Sequence, residues 1–226
     1  GDDGEPFGAI MHFSCHPIPD YFGWAARLVE RNVPGLTCVI LNGCFGSVDA
    51  PFELPMRGRT HQEQLPILGD ILGYRTLELL ARAETSDAMR LGVARREVFL
   101  PFDPRFADNE TSQGELWAGA TRNGGAQAEV QCLALGDLAL AGIPGEAQVS
   151  FGQQIQAVSP YALTRGVGNA NGSWAYLFTP QARARGGYEP DPAFWGMVGD
   201  EGLARILEAI EECLTEMRAG TEGEVS

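Results

Sequence analysis

The sequence predicts an α/β fold: a mixed, largely parallel central sheet flanked by helices, in a single domain. Three features predict it. A strand–helix–strand unit opens the chain between Phe7 and Leu41. Two apolar runs meet across Gly136-Asp137 as a hairpin. A long amphipathic helix closes the chain from Leu203 to Met217.

The elements follow in order. Phe7 to Cys15 reads as a strand leading straight to His16-Pro17. Asp20 is placed to cap a helix over 21–31, whose apolar face is Phe22, Ala25, Leu28 and Val29. Pro34-Gly35 breaks the chain. Leu36 to Leu41 is short, apolar and β-branched, the pattern of a strand buried on both faces. That order favours a parallel pair with a right-handed crossover. A glycine-bearing loop runs from Asn42 to about Arg59, and Leu65, Leu68, Leu72 and Leu79 form one stripe of a long helix.

Leu91 to Leu100 alternates and reads as a strand. Phe102 to Gly125 is a polar excursion with a little helix around Trp117. Ala128–Leu135 and Leu138–Ile143 make the hairpin, and Glu146 to Val158 fits a helix. Leu163–Val167 and Ser173–Phe178 read as strands on either side of Asn169-Ala170-Asn171-Gly172. Residues 219–226 are small and acidic, the composition of a frayed tail.

Composition narrows the function. The 226 residues are 44% hydrophobic and 20% charged, ordinary for a globular domain. The net charge of −14 repels phosphate backbones, so no nucleic-acid partner is expected. No apolar run is long enough to cross a bilayer, and no signal peptide is visible. Five cysteines, Cys15, Cys38, Cys44, Cys132 and Cys213, include no CxxC pair. That argues against a disulfide scaffold and against a cysteine zinc knuckle.

Polar residues collect just past strand ends at His16, at Asn42–Asp49, at Glu146 and around Tyr176. Ligands of open α/β sheets bind beyond the carboxyl ends of strands. His12 and His16 would form a metal pair on a helix. On a strand, four residues span about 13 Å, too far to share an ion ligated at about 2 Å. His16 is therefore the candidate and His12 its neighbour. Glu146 can be read as a first-turn acid facing a helix dipole, worth about 0.3–1 kcal/mol. The glycines around it, Gly142 and Gly145, point instead to close backbone packing near a site. Tyr188 projects from the turn Gly186-Gly187-Tyr188-Glu189-Pro190, as a packed loop aromatic or as a site group.

These pieces, in this order, resemble the neutral/alkaline non-lysosomal ceramidase family. Phe13-Ser14-Cys15-His16-Pro17 is similar to the family's strand ending in a zinc-binding His-Pro. Asp20-Tyr21-Phe22-Gly23-Trp24-Ala25 resembles the start of its next helix. Asn42-Gly43-Cys44-Phe45-Gly46-Ser47-Val48-Asp49 resembles the loop Asn-x-x-x-Gly-Asp-Val-Ser-Pro. Ile143-Pro144-Gly145-Glu146 resembles the segment whose Glu binds zinc, and Asn171-Gly172 through Tyr176 to Thr179-Pro180 the segment whose Tyr does. Gly187-Tyr188-Glu189 resembles the segment of a second active-site tyrosine.

The resemblance covers residues 1–218 and implies part of a zinc-dependent catalytic domain. His16, Glu146 and Tyr176 are then metal ligands, and Asp49 and Tyr188 catalytic groups. Zn2+ is the implied cofactor, and a further His ligand is expected from a segment or separate chain preceding Gly1. The implied substrate is a small-molecule or lipid-like amide, and the resemblance alone implies a secreted or extracytoplasmic setting. The pattern departs from the family where Ser47 stands in place of its Asp and Asp49 in place of its Ser. The stretch from His16 to Asp20 is also shorter than usual. A non-catalytic binding domain of the same fold is the alternative. A serine hydrolase is disfavoured, because no GxSxG elbow is present.

Overall fold

The computed structural model describes residues 5–17, 20–49, 58–84, 89–107, 124–191 and 195–222. The chain divides into two compact units, Gly1–Asn42 with Val48–Asp87, and Gly43–Ser47 with Ala88–Ser226.

In the first unit, β1 (Gly8–Phe13) and β2 (Thr37–Asn42) are joined through helix α1 (Tyr21–Asn32) and pair in parallel, with Ile10 opposite Val39 and Phe13 opposite Asn42. The crossover order read from the sequence is the one observed. Asp20 caps α1 as expected, its carboxylate accepting from Gly23 N at 3.0 Å. Helix α2 (His61–Leu80) opens on a capping box between Thr60 and Glu63.

The core of this unit joins Met11 and Cys38 of the sheet to Ala25, Ala26 and Val29 of α1. A second cluster holds Cys15, Tyr21, Phe22 and Leu68. Gly69 and Gly73 let α2 lie against Trp24, Ala25 and Leu28 of α1, where added side chains would collide. Two expectations are corrected. β2 is covered on one face only, since Val39 is 50% exposed. Leu79 faces solvent, whereas Leu77 and Leu80 pack on the core.

In the second unit, four strands form one sheet in the order β3 (Leu91–Pro101), β4 (Gly125–Leu135), β5 (Leu138–Gly142) and β7 (Leu163–Val167). β3–β4 and β4–β5 are antiparallel and β5–β7 is parallel. Gly136, at φ +62°, supplies the left-handed residue of the predicted two-residue hairpin. Between β5 and β7 lie the two-residue strand β6 (Glu146–Ala147) and helix α4 (Val149–Val158). β8 (Tyr176–Leu177) pairs in parallel with β6.

A short helix α3 (Pro104–Ala107) follows β3, and α5 (Pro180–Arg185) follows β8. The closing helix α6 runs over Asp200–Glu222, past Arg218 and into the stretch expected to fray. α4 and α6 bury one face of the sheet, with Val130, Cys132, Ala139, Phe151, Ile206 and Ile210 fully enclosed. The helix expected around Trp117 lies outside the described residues.

The predicted mixed α/β class holds, and three of the five strand pairings described are parallel. The strands are distributed over three small sheets. Glu146 needs a correction: it lies in β6 and not at a helix start, because its segment finds a strand partner in β8. The described strand there is Tyr176–Leu177, shorter than the Ser173–Phe178 run.

Candidate functional site

Each unit positions its own candidate residues. In the first, β1 ends at Phe13 and the chain continues to His16, so His12 is on the strand and His16 beyond it. Val48 holds His16 twice. Its carbonyl accepts from the His16 backbone N–H at 2.9 Å and lies 2.9 Å from Nδ1. A carbonyl only accepts, so Nδ1 carries the proton in this contact and the basic lone pair of the neutral ring is at Nε2. Metal-binding histidines are commonly oriented by this kind of backbone contact.

Tyr21 donates its hydroxyl to the His16 carbonyl at 3.2 Å. Burial pushes the Tyr21 hydroxyl well above its usual pKa, reinforced by Cys15 and by the charge of Asp49. Burial also raises the Cys15 thiol, against the Tyr21 hydrogen bond and with the help of Asp49. Asp49 thus acts electrostatically on the same strand end as His16, and it is exposed to solvent. Asn42, opposite the last residue of β1, has a buried Oδ1 with no hydrogen-bond partner among the described residues. An orphaned acceptor at the carboxyl end of a strand is where a ligand's donor would be welcome.

In the second unit, Glu146 and Tyr176 are ladder partners. Laterally paired residues project from the same side of a sheet about 5 Å apart, so carboxylate and phenol emerge together. Both residues are half-buried. The segment Gly43–Ser47 braces this ladder. Gly46 N donates to Ala147 O at 2.9 Å, and a Cβ on Gly46 would run into the Glu146 backbone. Ser47 Oγ accepts from Val149 N at 3.3 Å, capping a helix whose own N-cap, Gln148, makes no side-chain cap bond.

Tyr188 is 62% exposed, and its hydroxyl oxygen accepts from Trp195 Nε1 at 2.5 Å. An indole N–H can only donate, so the phenolic proton remains available for an outside acceptor. Val48 and Trp195 are the hydrogen-bond partners of His16 and Tyr188 that the sequence did not reveal. Val48 acts through its carbonyl, which every residue type carries, and Trp195 through a loop pairing with no sequence signature.

Taken by residue type, His16, Glu146 and Tyr176 supply an imidazole, a carboxylate and a phenol, a nitrogen–oxygen donor set that suits zinc. Among the described residues, no three His, Cys, Asp or Glu side chains gather as a metal-binding group. No helix among them is long and apolar enough to cross a membrane.

Over 96% of its length the chain is similar in structure to the neutral ceramidase from Pseudomonas aeruginosa, with a TM-score of 0.72 at 18% identity. The fold is ceramidase-like. A structure described as ceramidase complexed with C2 is similar at a TM-score of 0.73 and 17% identity, again over 96% of this chain. The chain spans 45% and 46% of those two chains, a little under half. No family model and no curated protein matches the sequence.

Proposed function

We propose that this ceramidase-like chain is part of a metal-dependent hydrolase that cleaves an N-acyl amide bond in a small or lipid-like substrate. The observation that carries the reading is the β6–β8 pairing, which sets Glu146 beside Tyr176 in a fold similar to two ceramidase structures. The motif around each of these residues, and around His16, resembles a zinc-ligand segment of the same family.

In this proposal zinc is held by His16 through Nε2, by Glu146, by Tyr176 and by a histidine from a further segment or chain. Bound zinc supplies a Lewis acid for the scissile carbonyl and lowers the pKa of water to about 7. The chain's own residues do the rest. The Val48 carbonyl fixes the tautomer and direction of the His16 ring. Asp49, exposed to solvent, accepts a proton from water. Tyr188, its oxygen engaged by Trp195, directs its proton to the oxygen on which charge develops.

The test measures zinc content and hydrolysis of short N-acyl amides in the protein completed by its further segment. His16→Ala should remove both. Stoichiometric zinc retained in that variant would overturn the ligand assignment. A second reading, a binding domain of the same fold without catalysis, is favoured by the use of Ser47 as a helix cap where the family pattern has Asp. Full zinc occupancy without turnover would select it.

A further inference from the structure

Arg183 of α5 lies between Tyr176 and Tyr188 along the chain. Its side chain is only 11% exposed, and its hydrogen bonds run to one short segment. Nε donates to Asp200 Oδ1 at 2.9 Å, Nη2 to the Val198 carbonyl at 2.7 Å and Nη1 to the Gly196 carbonyl at 3.4 Å. Asp103 Oδ2 lies 4.0 Å from Nη1, just past the end of β3. Two carboxylates thus compensate the enclosed charge, and two carbonyls meet the fork. A guanidinium supplies this planar, multi-donor fit and an ammonium does not.

Residues 195–200 are held to the stretch from β8 to Tyr188 along its whole length. The Tyr176 N–H donates to the Trp195 carbonyl at 3.3 Å. Arg183 holds Gly196, Val198 and Asp200, and the Trp195 indole holds the Tyr188 oxygen at 2.5 Å. On the other side, main-chain bonds tie the segment to the end of β3, from Asp103 N to Met197 O at 2.7 Å and from Gly199 N to Pro101 O at 3.4 Å. Beyond α5, Gly186 and Gly187 take φ values of +72° and +129°. Glycines leave the backbone little preference of its own, so the chain leading to Tyr188 does not fix its direction. The Trp195 indole does, and the Arg183 fork sets where that indole stands relative to α5.

We infer that Arg183 is a positioning residue for Tyr188: it locks residues 196–200 onto α5 and so places the indole that orients the phenol. Arg183 touches no reacting atom in this role. Its effect on turnover rests on the amide-hydrolase reading above. Its effect on the indole rests on the hydrogen bonds alone.

The test is Arg183→Gln in the full protein, with two readouts. The Trp195 indole N–H gives one peak in a nitrogen–proton correlation spectrum, assigned by its loss in Trp195→Phe. That peak should move in Arg183→Gln toward its position in Tyr188→Phe. For a short N-acyl amide, kcat should fall about tenfold or more, with KM within about twofold of the parent. In the Tyr188→Phe background the same substitution should lower kcat by less than about twofold, because its route through Tyr188 is already cut. A general loosening of the fold would multiply the two losses, and that result overturns the inference. So does an unmoved indole peak in a folded variant. Arg183→Lys, which keeps the charge and loses the fork, replaces the glutamine variant if that one fails to fold, with the same outcomes expected. A parent protein without amide turnover would remove the catalytic reading, and the indole peak would still decide whether Arg183 positions Tyr188.

Discussion

Glu146 and Tyr176 face each other in a parallel ladder only two residue pairs long. Backbone bonds hold it, from Glu146 N to Ala175 O at 2.8 Å and from Gln148 N to Leu177 O at 3.1 Å. The second pair, Ala147 and Leu177, is fully buried and anchors the first. The carboxylate and the phenol are therefore positioned by main chain and core. Either can be changed without dismantling the ladder.

Glu146→Gln and Tyr176→Phe keep volume and remove one donor each. Each should lower zinc affinity at least tenfold, since zinc sites depend on three or four protein ligands. Stability should change by less than about 1 kcal/mol, because neither residue is enclosed in the core. Equilibrium dialysis against zinc and thermal denaturation check the two halves. Unchanged affinity in both variants would remove these residues from the metal set.

Gly46 has no room for a side chain beside the Glu146 backbone. Gly46→Ala must push the two segments apart, at a cost of about 1–3 kcal/mol by analogy with overpacked cores. Urea unfolding should report that loss. Amide turnover should fall further than stability does, because the displaced strand carries Glu146. A variant as stable as the parent would show that the segment relaxes freely.

The sequence was most legible where a signal is local. Asp20, three residues before the amide it caps, marked the start of α1, and Gly136-Asp137 marked the hairpin. Glu146 was misread because Pro144-Gly145 followed by a helical pattern resembles a helix start. Its actual partner is 30 positions away, in a strand of two residues with no periodicity to detect. Val39 was read as doubly buried because an apolar run states only that a residue favours burial, while the covering layer is set by tertiary context. His16 was legible as a strand-end residue. The carbonyl that orients it was not, since backbone acceptors leave no trace in residue type.

Asp103 is a carboxylate whose ion pair with Arg105 contributes to the acid limb of stability. Its carboxyl is held below the ordinary carboxylate range, chiefly by hydrogen bonds from the Arg105 side chain at 2.9 and 2.7 Å and against its own burial. A depressed native pKa means that the unfolded chain binds the proton more tightly. The stabilisation is then complete above the unfolded value of about 3.9 and disappears as pH falls through the lower native value. Asp103→Asn should flatten the decline in unfolding free energy between about pH 5 and pH 2. An unaltered pH profile in that variant would assign the decline to other carboxylates.

All five thiols are buried, and each has its pKa raised, with burial the largest cause. Cys44, wedged where Gly152 and Gly166 leave space for its sulfur, is pushed up to about 11. The thiolate is the reactive form, and at pH 8 a thiol with that pKa is ionised about one part in a thousand. Cys132 and Cys213 are hydrogen-bonded to each other between β4 and α6, and both are fully enclosed. The folded chain at pH 8 should therefore react with Ellman's reagent only as fast as it opens, and addition of guanidinium should release five equivalents. The native rate should track unfolding, rising in Gly46→Ala by up to about tenfold for each 1.4 kcal/mol of lost stability. Rapid reaction of even one equivalent without unfolding would mean that a thiol is reached by solvent through a local opening that this core does not contain.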